Sequence, residues 1–134
     1  MAVMGMFQKK VRVCNPIKKH LAFEQAFWID TGALYSYVPE DWLEKIEAEP
    51  SGSRDLVLAD GRTSRRLIGT LTLEVEGLEG AMGCPVIFAP PGSLFLLGAT
   101  ALECFGVAAD PVNKQLKPIL SVIGGFLASQ TAPS

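Results

Sequence analysis

Leu71, Leu73 and Val75 alternate with Thr70, Thr72, Glu74 and Glu76. That two-residue period demands a strand with one face against a core and the other toward water. Upstream, the apolar run Leu56-Val57-Leu58 leads into Ala59-Asp60-Gly61, and an Asp-Gly pair between apolar runs is a strong short-range hairpin signal. The middle of the chain is therefore committed to antiparallel β structure.

Further strand signals lie on both sides. Val11 and Val13 alternate with Arg12 and Cys14 before the turn pair Asn15-Pro16. Leu21 and Phe23, and then residues 26–29, read as the next two strands, separated by Glu24-Gln25. Residues 85–88 and 95–97 are further short apolar runs, and Gln115-Leu116-Lys117-Pro118 reads as a closing strand after the Asp110-Pro111 turn. Two segments read as helical. Residues 39–46 open with proline and acids, which suit the first turn, and Trp42, Leu43 and Ile46 share one face. Residues 100–105 end at Gly106, a suitable C-terminal cap. Many short strands with two short helices predict an all-β domain that is closed or folded over.

With 134 residues, 49% apolar and 19% charged, the chain suits one globular domain over residues 1–134. Its core would run from about 11 to about 118, with an apolar and then polar tail over 119–134. A net charge of −2 leaves no electrostatic footprint for nucleic acid. Lys18-Lys19-His20 and Arg65-Arg66 read as solvated turns. Cys14, Cys84 and Cys104 are odd in number and lack CxxC spacing, and His20 is the one histidine. No disulfide framework, metal centre or cofactor is expected, and buried reduced thiols suit a reducing, cytoplasmic setting. Residues 1–7 are apolar but lack the order of a signal peptide. The run 119–128 is too short to span a bilayer, so no membrane partner is expected.

Asp30-Thr31-Gly32-Ala33 follows the apolar run 26–29 and precedes another that ends at Val38. A carboxylate at the end of a buried strand is costly unless it is hydrogen-bonded or used. One reading is a β-turn in which Asp30 accepts backbone N–H bonds and Gly32 adopts an unusual φ. The other is catalysis. Ordinary frequencies place a given tripeptide in roughly 3 of every 100 chains this long, so the choice needs a second motif.

Leu96-Leu97-Gly98, directly before the second helical segment, is that motif. In order, the chain carries Asp-Thr-Gly-Ala on a strand, a short helix, an Ala-Asp-Gly hairpin, Leu-Leu-Gly, a helix, and Asp-Pro-Val-Asn-Lys-Gln-Leu. This order resembles the retropepsin-like aspartic proteases, over about 11 to 118. The resemblance implies a small closed β-barrel, the acid-protease fold, acting as a homodimer on peptide or protein substrates. It implies that Asp30 is the catalytic carboxylate, completed by the Asp30 of a second copy. Thr31 would hydrogen-bond across the twofold axis, Gly32 would admit the substrate backbone, and Ala33 would line the cleft floor. Residues 56–66 would form a flap with Ala59, Asp60 and Gly61 at its tip over the substrate, although turn chemistry explains Asp60 better than substrate recognition does. Leu97-Gly98 would support the catalytic loop from behind.

Retroviral members commonly place an aspartate after Asp-Thr-Gly-Ala and an arginine after the apolar-apolar-glycine motif. Here those positions are Leu34 and Ala99, and the flap tip has no glycine-rich run. The chain thus resembles cellular, prokaryotic members more than viral processing enzymes. The alternative within the same resemblance is a catalytically inactive dimerisation or peptide-binding module. Residues 1–7 and 119–127 are apolar enough to join an interface sheet, while Gly124-Gly125 and residues 129–134 also fit a frayed tail.

Overall fold

A computed structural model describes residues 6–58 and 60–120. Among them run β1 (Gln8–Cys14), β2 (Ala22–Ile29), β3 (Ser36–Pro39), α1 (Glu40–Lys45), β4 (Gly52–Val57), β5 (Thr63–Val75), β6 (Met82–Ala89), β7 (Leu96–Leu97), α2 (Ala99–Cys104), β8 (Val107–Asp110) and β9 (Gln115–Pro118). The first seven strands form one sheet in the order β1-β2-β7-β3-β6-β5-β4, and β1 also pairs with β5. That extra ladder closes a ring of six strands and leaves β4 outside as the partner of β5. β8 and β9 make a separate two-stranded sheet.

The two-residue alternation over residues 70–76 is realised in β5. Leu71, Leu73 and Val75 are buried, whereas Thr70, Glu74 and Glu76 are exposed. β5 is long because it serves three partners, β4 over Thr63–Ile68, β6 over Ile68–Leu73 and β1 over Thr72–Val75. Its inward residues meet Val11, Val13, Phe27, Ile29, Val38, Leu43, Val86 and Leu97 in one continuous apolar core.

Three expectations need correction. Residues 21–29 do not form two strands. β2 runs unbroken through Glu24 and Gln25, which pair with Arg12 and Val11, because the in–out alternation continues across them and lets Glu24 face water. Pro39 ends β3 and sits at the N-cap of α1, outside its first turn. Arg65 and Arg66 are strand residues: Arg65 pairs with Asp55 at 2.9 Å, and Arg66 bonds Glu40 at 3.1 Å and the Phe88 carbonyl at 2.9 Å. Arg66 thereby ties the base of the β4–β5 hairpin to α1 and β6.

Short elements are fixed by local chemistry. Asn15 is buried and fully bonded; its amide donates to the Ile46 and Glu47 carbonyls at the end of α1, and its oxygen accepts from the Ile17 and Lys18 N–H groups. Asp110 caps the β8–β9 turn. Lys117, and then the side chain and backbone of Asn113, hold its carboxyl well below the usual carboxylate range. Among the described residues, no helix is long and apolar enough to cross a membrane.

Candidate active site

β7 threads between β2 and β3, pairing parallel with β2 (Trp28 with Leu96, Ile29 with Leu97) and antiparallel with β3 through Tyr37 and Leu96. The chain leaves β2 at Asp30, turns, and returns as β3, so the Asp30-Thr31-Gly32-Ala33 loop bridges the two strands that flank β7. An aromatic cluster fixes this arrangement. Phe95, just before β7, has its ring centroid 5.4 Å from Phe27 on β2 and 5.4 Å from Trp42 on α1. Such tilted and edge-on contacts add to the burial term.

Hydrogen bonds then lock the loop. The Asp30 N–H donates to the Leu97 carbonyl at 2.9 Å, and the Ala33 N–H returns to the Asp30 carbonyl at 3.2 Å. The Gly32 N–H donates to Asp30 Oδ1 at 3.0 Å. On the far side, the Ala99 and Thr100 N–H groups at the start of α2 donate to the Ala33 and Leu34 carbonyls at 2.8 and 3.0 Å. These otherwise unpaired helix-end donors are satisfied by the loop itself. Both turn acceptance by Asp30 and support by Leu97-Gly98 are therefore present in one structure.

Gly98 is where the two motifs touch. A Cβ at this position would lie 2.3 Å from the Tyr35 carbonyl oxygen and 2.8 Å from that of Ala33. Only glycine lets α2 approach the loop this closely. Gly32 has a milder constraint, since a Cβ there would sit 3.3 Å from Asp30 Oδ1.

Ser36 completes the support and was missed by the sequence reading. It is fully buried, and its Oγ accepts the Gly98 N–H at 3.1 Å. The signal was available: alternation along Tyr35-Ser36-Tyr37-Val38 puts Ser36 on the same inward face as Val38, and a buried hydroxyl implies a partner. Ser36→Ala should cost about 1–3 kcal/mol by stranding the Gly98 N–H. Chemical denaturation reads this, and an unchanged midpoint would contradict the role.

The carboxylate side of the loop is open. Asp30 is half-buried, Thr31 and Gly32 are exposed, Ala33 is half-buried, and Leu34 is 62% exposed. Tyr37 lies on the outward parity of β3, half-buried. Burial, then the negative charge of Asp30, then Tyr35 push its phenol up, so Tyr37 stays protonated beside the carboxylate through neutral pH. Cavities of about 390 and 350 Å3 lie elsewhere, one beside Asn15 and Glu47, the other beside Arg12 and Glu74, and Asp30 lines neither.

The hairpin tip is a separate feature. Asp60 and Gly61 sit between β4 and β5, with Gly61 at φ +86°. Asp60 Oδ1 accepts the Arg62 N–H at 3.0 Å, and Oδ2 pairs with the Arg62 guanidinium at 2.6 Å, which is turn chemistry. Ala59 lies outside the described residues. Val57, 75% exposed, and Leu58 give the hairpin an apolar end. Among the described residues, no group of three or more His, Cys, Asp or Glu could hold a metal ion.

No protein-family model matches the sequence, and no curated protein matches it. Solved structures do. The chain is similar to a retropepsin-like aspartic protease from Rickettsia conorii, with TM-score 0.53, 17% identity, and coverage of 87% of this chain and 94% of that one. It is also similar to part of the foamy viral protease–reverse transcriptase solved with an RNA/DNA hybrid, with TM-score 0.52, 16% identity and 87% of this chain covered. This chain spans 13% of that viral chain. The protein therefore has the retropepsin-like fold, mostly strands with two short helices, as the motif order implied.

Proposed function

We propose that the protein is an aspartic endopeptidase whose catalytic pair forms when two copies associate, each contributing Asp30. The observation that carries this reading is the Asp30 loop. It is braced from behind by Leu97, Gly98 and Ser36, yet its carboxylate side faces solvent. A turn aspartate with a purely structural role does not need a buried strand and a helix start built against it.

The chemistry follows from pairing two such loops. In aspartic proteases, the type case for this arrangement, carboxylates about 3 Å apart cannot both ionise and so share one proton. The ionised Asp30 acts as general base on a water, while its protonated twin donates to the scissile carbonyl oxygen. No metal, cofactor or nucleophilic side chain takes part. Thr31, exposed at the loop tip, reaches the partner's loop, and Gly32 and Ala33 leave room for an extended substrate. That substrate is a peptide or protein segment held by strand-like main-chain hydrogen bonds, with Ala59, Asp60 and Gly61 of each hairpin closing over it. The apolar Leu34, Val57 and Leu58 favour apolar substrate side chains. A net charge of −2 gives no reason to add nucleic acid as a partner.

A statine-containing peptide, which mimics the tetrahedral intermediate, should inhibit cleavage of a fluorogenic peptide library far more strongly than its unmodified parent. Cleavage indifferent to the statine peptide but blocked by serine or cysteine protease reagents would reject the reading.

A further inference from the structure

The β4–β5 hairpin leaves the ring with little to hold it. Thr63–Leu67 of β5 pair only with β4, and Ile68 is the last residue that pairs with both Gly52 on β4 and Ile87 on β6. Beyond that root the hairpin is a two-stranded ribbon, which is marginal by itself. Its charged side chains mostly bond within it. Arg65 pairs with Asp55, Arg62 pairs with Asp60, and Arg54 donates to the Ser53 carbonyl at 2.8 Å. Among the described residues of the ribbon, Arg66 alone sends side-chain hydrogen bonds to the body of the protein.

Both acceptors belong to the frame that carries the Asp30 loop. Glu40, whose Oε2 accepts Arg66 Nη2 at 3.1 Å, directly follows Pro39, the end of the strand by which the loop returns. Phe88, whose carbonyl accepts Arg66 Nε at 2.9 Å, is paired in register with Val38 on that same strand. The Arg66 and Glu40 side chains are 24% and 37% exposed, and no other described ion pair has both partners this far covered. Screening by salt is therefore weaker here than at the other pairs. Arg54 stands directly opposite Arg66 in the ladder, and like charges so placed repel, which favours Arg66 turning back to Glu40. We propose that Arg66 is a positioning residue for the cleavage proposed above: its fork, closed on Glu40 and the Phe88 carbonyl, fixes the angle between the hairpin and the Asp30 loop. The inference rests on the endopeptidase reading, in which the hairpin closes over the substrate.

The arrangement needs arginine. Two N–H groups held in one plane meet two acceptors on different elements, whereas a lysine ammonium keeps the charge but not the fork. With the fork open, the ribbon is held at its root alone, where the Ser51 N–H donates to the Ile68 carbonyl at 2.8 Å. Substrate must then select the closed orientation from a wider set, and apparent affinity falls in proportion to the fraction of chains already in it. Once substrate is bound the hairpin is closed, and chemistry at Asp30 proceeds as before. The signature of the lost contact is thus a raised KM with kcat nearly unchanged.

The test compares Arg66→Gln, Arg66→Lys and Glu40→Gln with Lys18→Gln, which breaks the exposed Lys18–Glu47 pair and removes one positive charge, as Arg66→Gln does. Arg66→Gln is expected to raise KM about 5–20-fold with kcat within about twofold of wild type. Glu40→Gln and Arg66→Lys should raise KM by less, and Lys18→Gln not at all. Amide hydrogen exchange, read on the full chain in the Asp30→Asn background, needs no cleavage. There Arg66→Gln should speed exchange about tenfold at residues 54–57 and 63–66 while β1 and β2 keep their rates. Exchange unchanged in the hairpin, or quickened equally throughout the chain, would overturn the proposal. So would a fall in kcat and Tm with KM untouched, the mark of a merely structural contact. Absence of cleavage by the wild-type chain would reject the endopeptidase reading instead, and it is told apart because hairpin exchange still responds to Arg66→Gln.

Discussion

Asp30→Asn is expected to lower peptide cleavage by at least about 10³-fold while fold and self-association survive. The substitution retains an oxygen where Asp30 Oδ1 now accepts the Gly32 N–H at 3.0 Å. The backbone bonds from Asp30 to Leu97 and from Ala33 to Asp30 are untouched, so the turn has no reason to change. What disappears is the ionisable group, and with both copies substituted neither loop can act as general base. A thermal midpoint within a few degrees of wild type, together with an unchanged solution mass, would isolate the loss as chemical. Cleavage at the wild-type rate would remove Asp30 from the mechanism.

Gly98→Ala is expected to cost about 3 kcal/mol or more, a fall in Tm of roughly 10 °C. The added Cβ would sit 2.3 Å from the Tyr35 carbonyl oxygen and 2.6 Å from its carbon. Those atoms are backbone, so no side chain can rotate away. Relief requires α2 to withdraw from the loop, which stretches the Ala99 and Thr100 bonds to Ala33 and Leu34 and the Ser36 contact. Activity should fall with stability, because the same withdrawal shifts the loop that carries Asp30. Differential scanning calorimetry beside a cleavage assay reads both, and wild-type stability for this variant would contradict the described close approach.

Local chemistry made parts of this structure legible in the sequence. Asp60-Gly61 forms its hairpin because Asp60 caps its own turn and Gly61 takes a positive φ, and neither needs distant residues. The alternation in β5 was readable because one of its faces meets water along its length. β7 was not readable as a strand in the middle of a sheet. Two residues, Leu96 and Leu97, have no measurable period, and their place between β2 and β3 comes from parallel pairing across more than sixty residues of sequence, about as non-local as a chain this size allows. The Glu24-Gln25 pair suggested a break because polarity imitates a turn, yet both residues sit in a ladder with β1. β8 was overlooked because Val107-Ala108-Ala109-Asp110 is short and weakly patterned; only pairing with β9 makes it a strand. At the site, Asp30 and Gly98 stood out as motif residues, whereas Ser36 needed the fold to show what its hydroxyl holds. Residues 1–5 and 121–134, expected to join an interface sheet or a frayed tail, lie outside the described residues. Phe7 is buried in the core of its own chain, and Ile119 extends the β8–β9 region through a bond to the Gly106 carbonyl.

Self-completion of the site is the claim on which the rest depends, and concentration is its most direct probe. Specific cleavage activity and weight-average mass should be followed together through a dilution series, the mass by analytical ultracentrifugation. Activity per chain is expected to fall in step with the dimer fraction, so that well below the dissociation constant the rate scales with the square of concentration. Full activity per chain in solutions that contain only single copies would contradict the account.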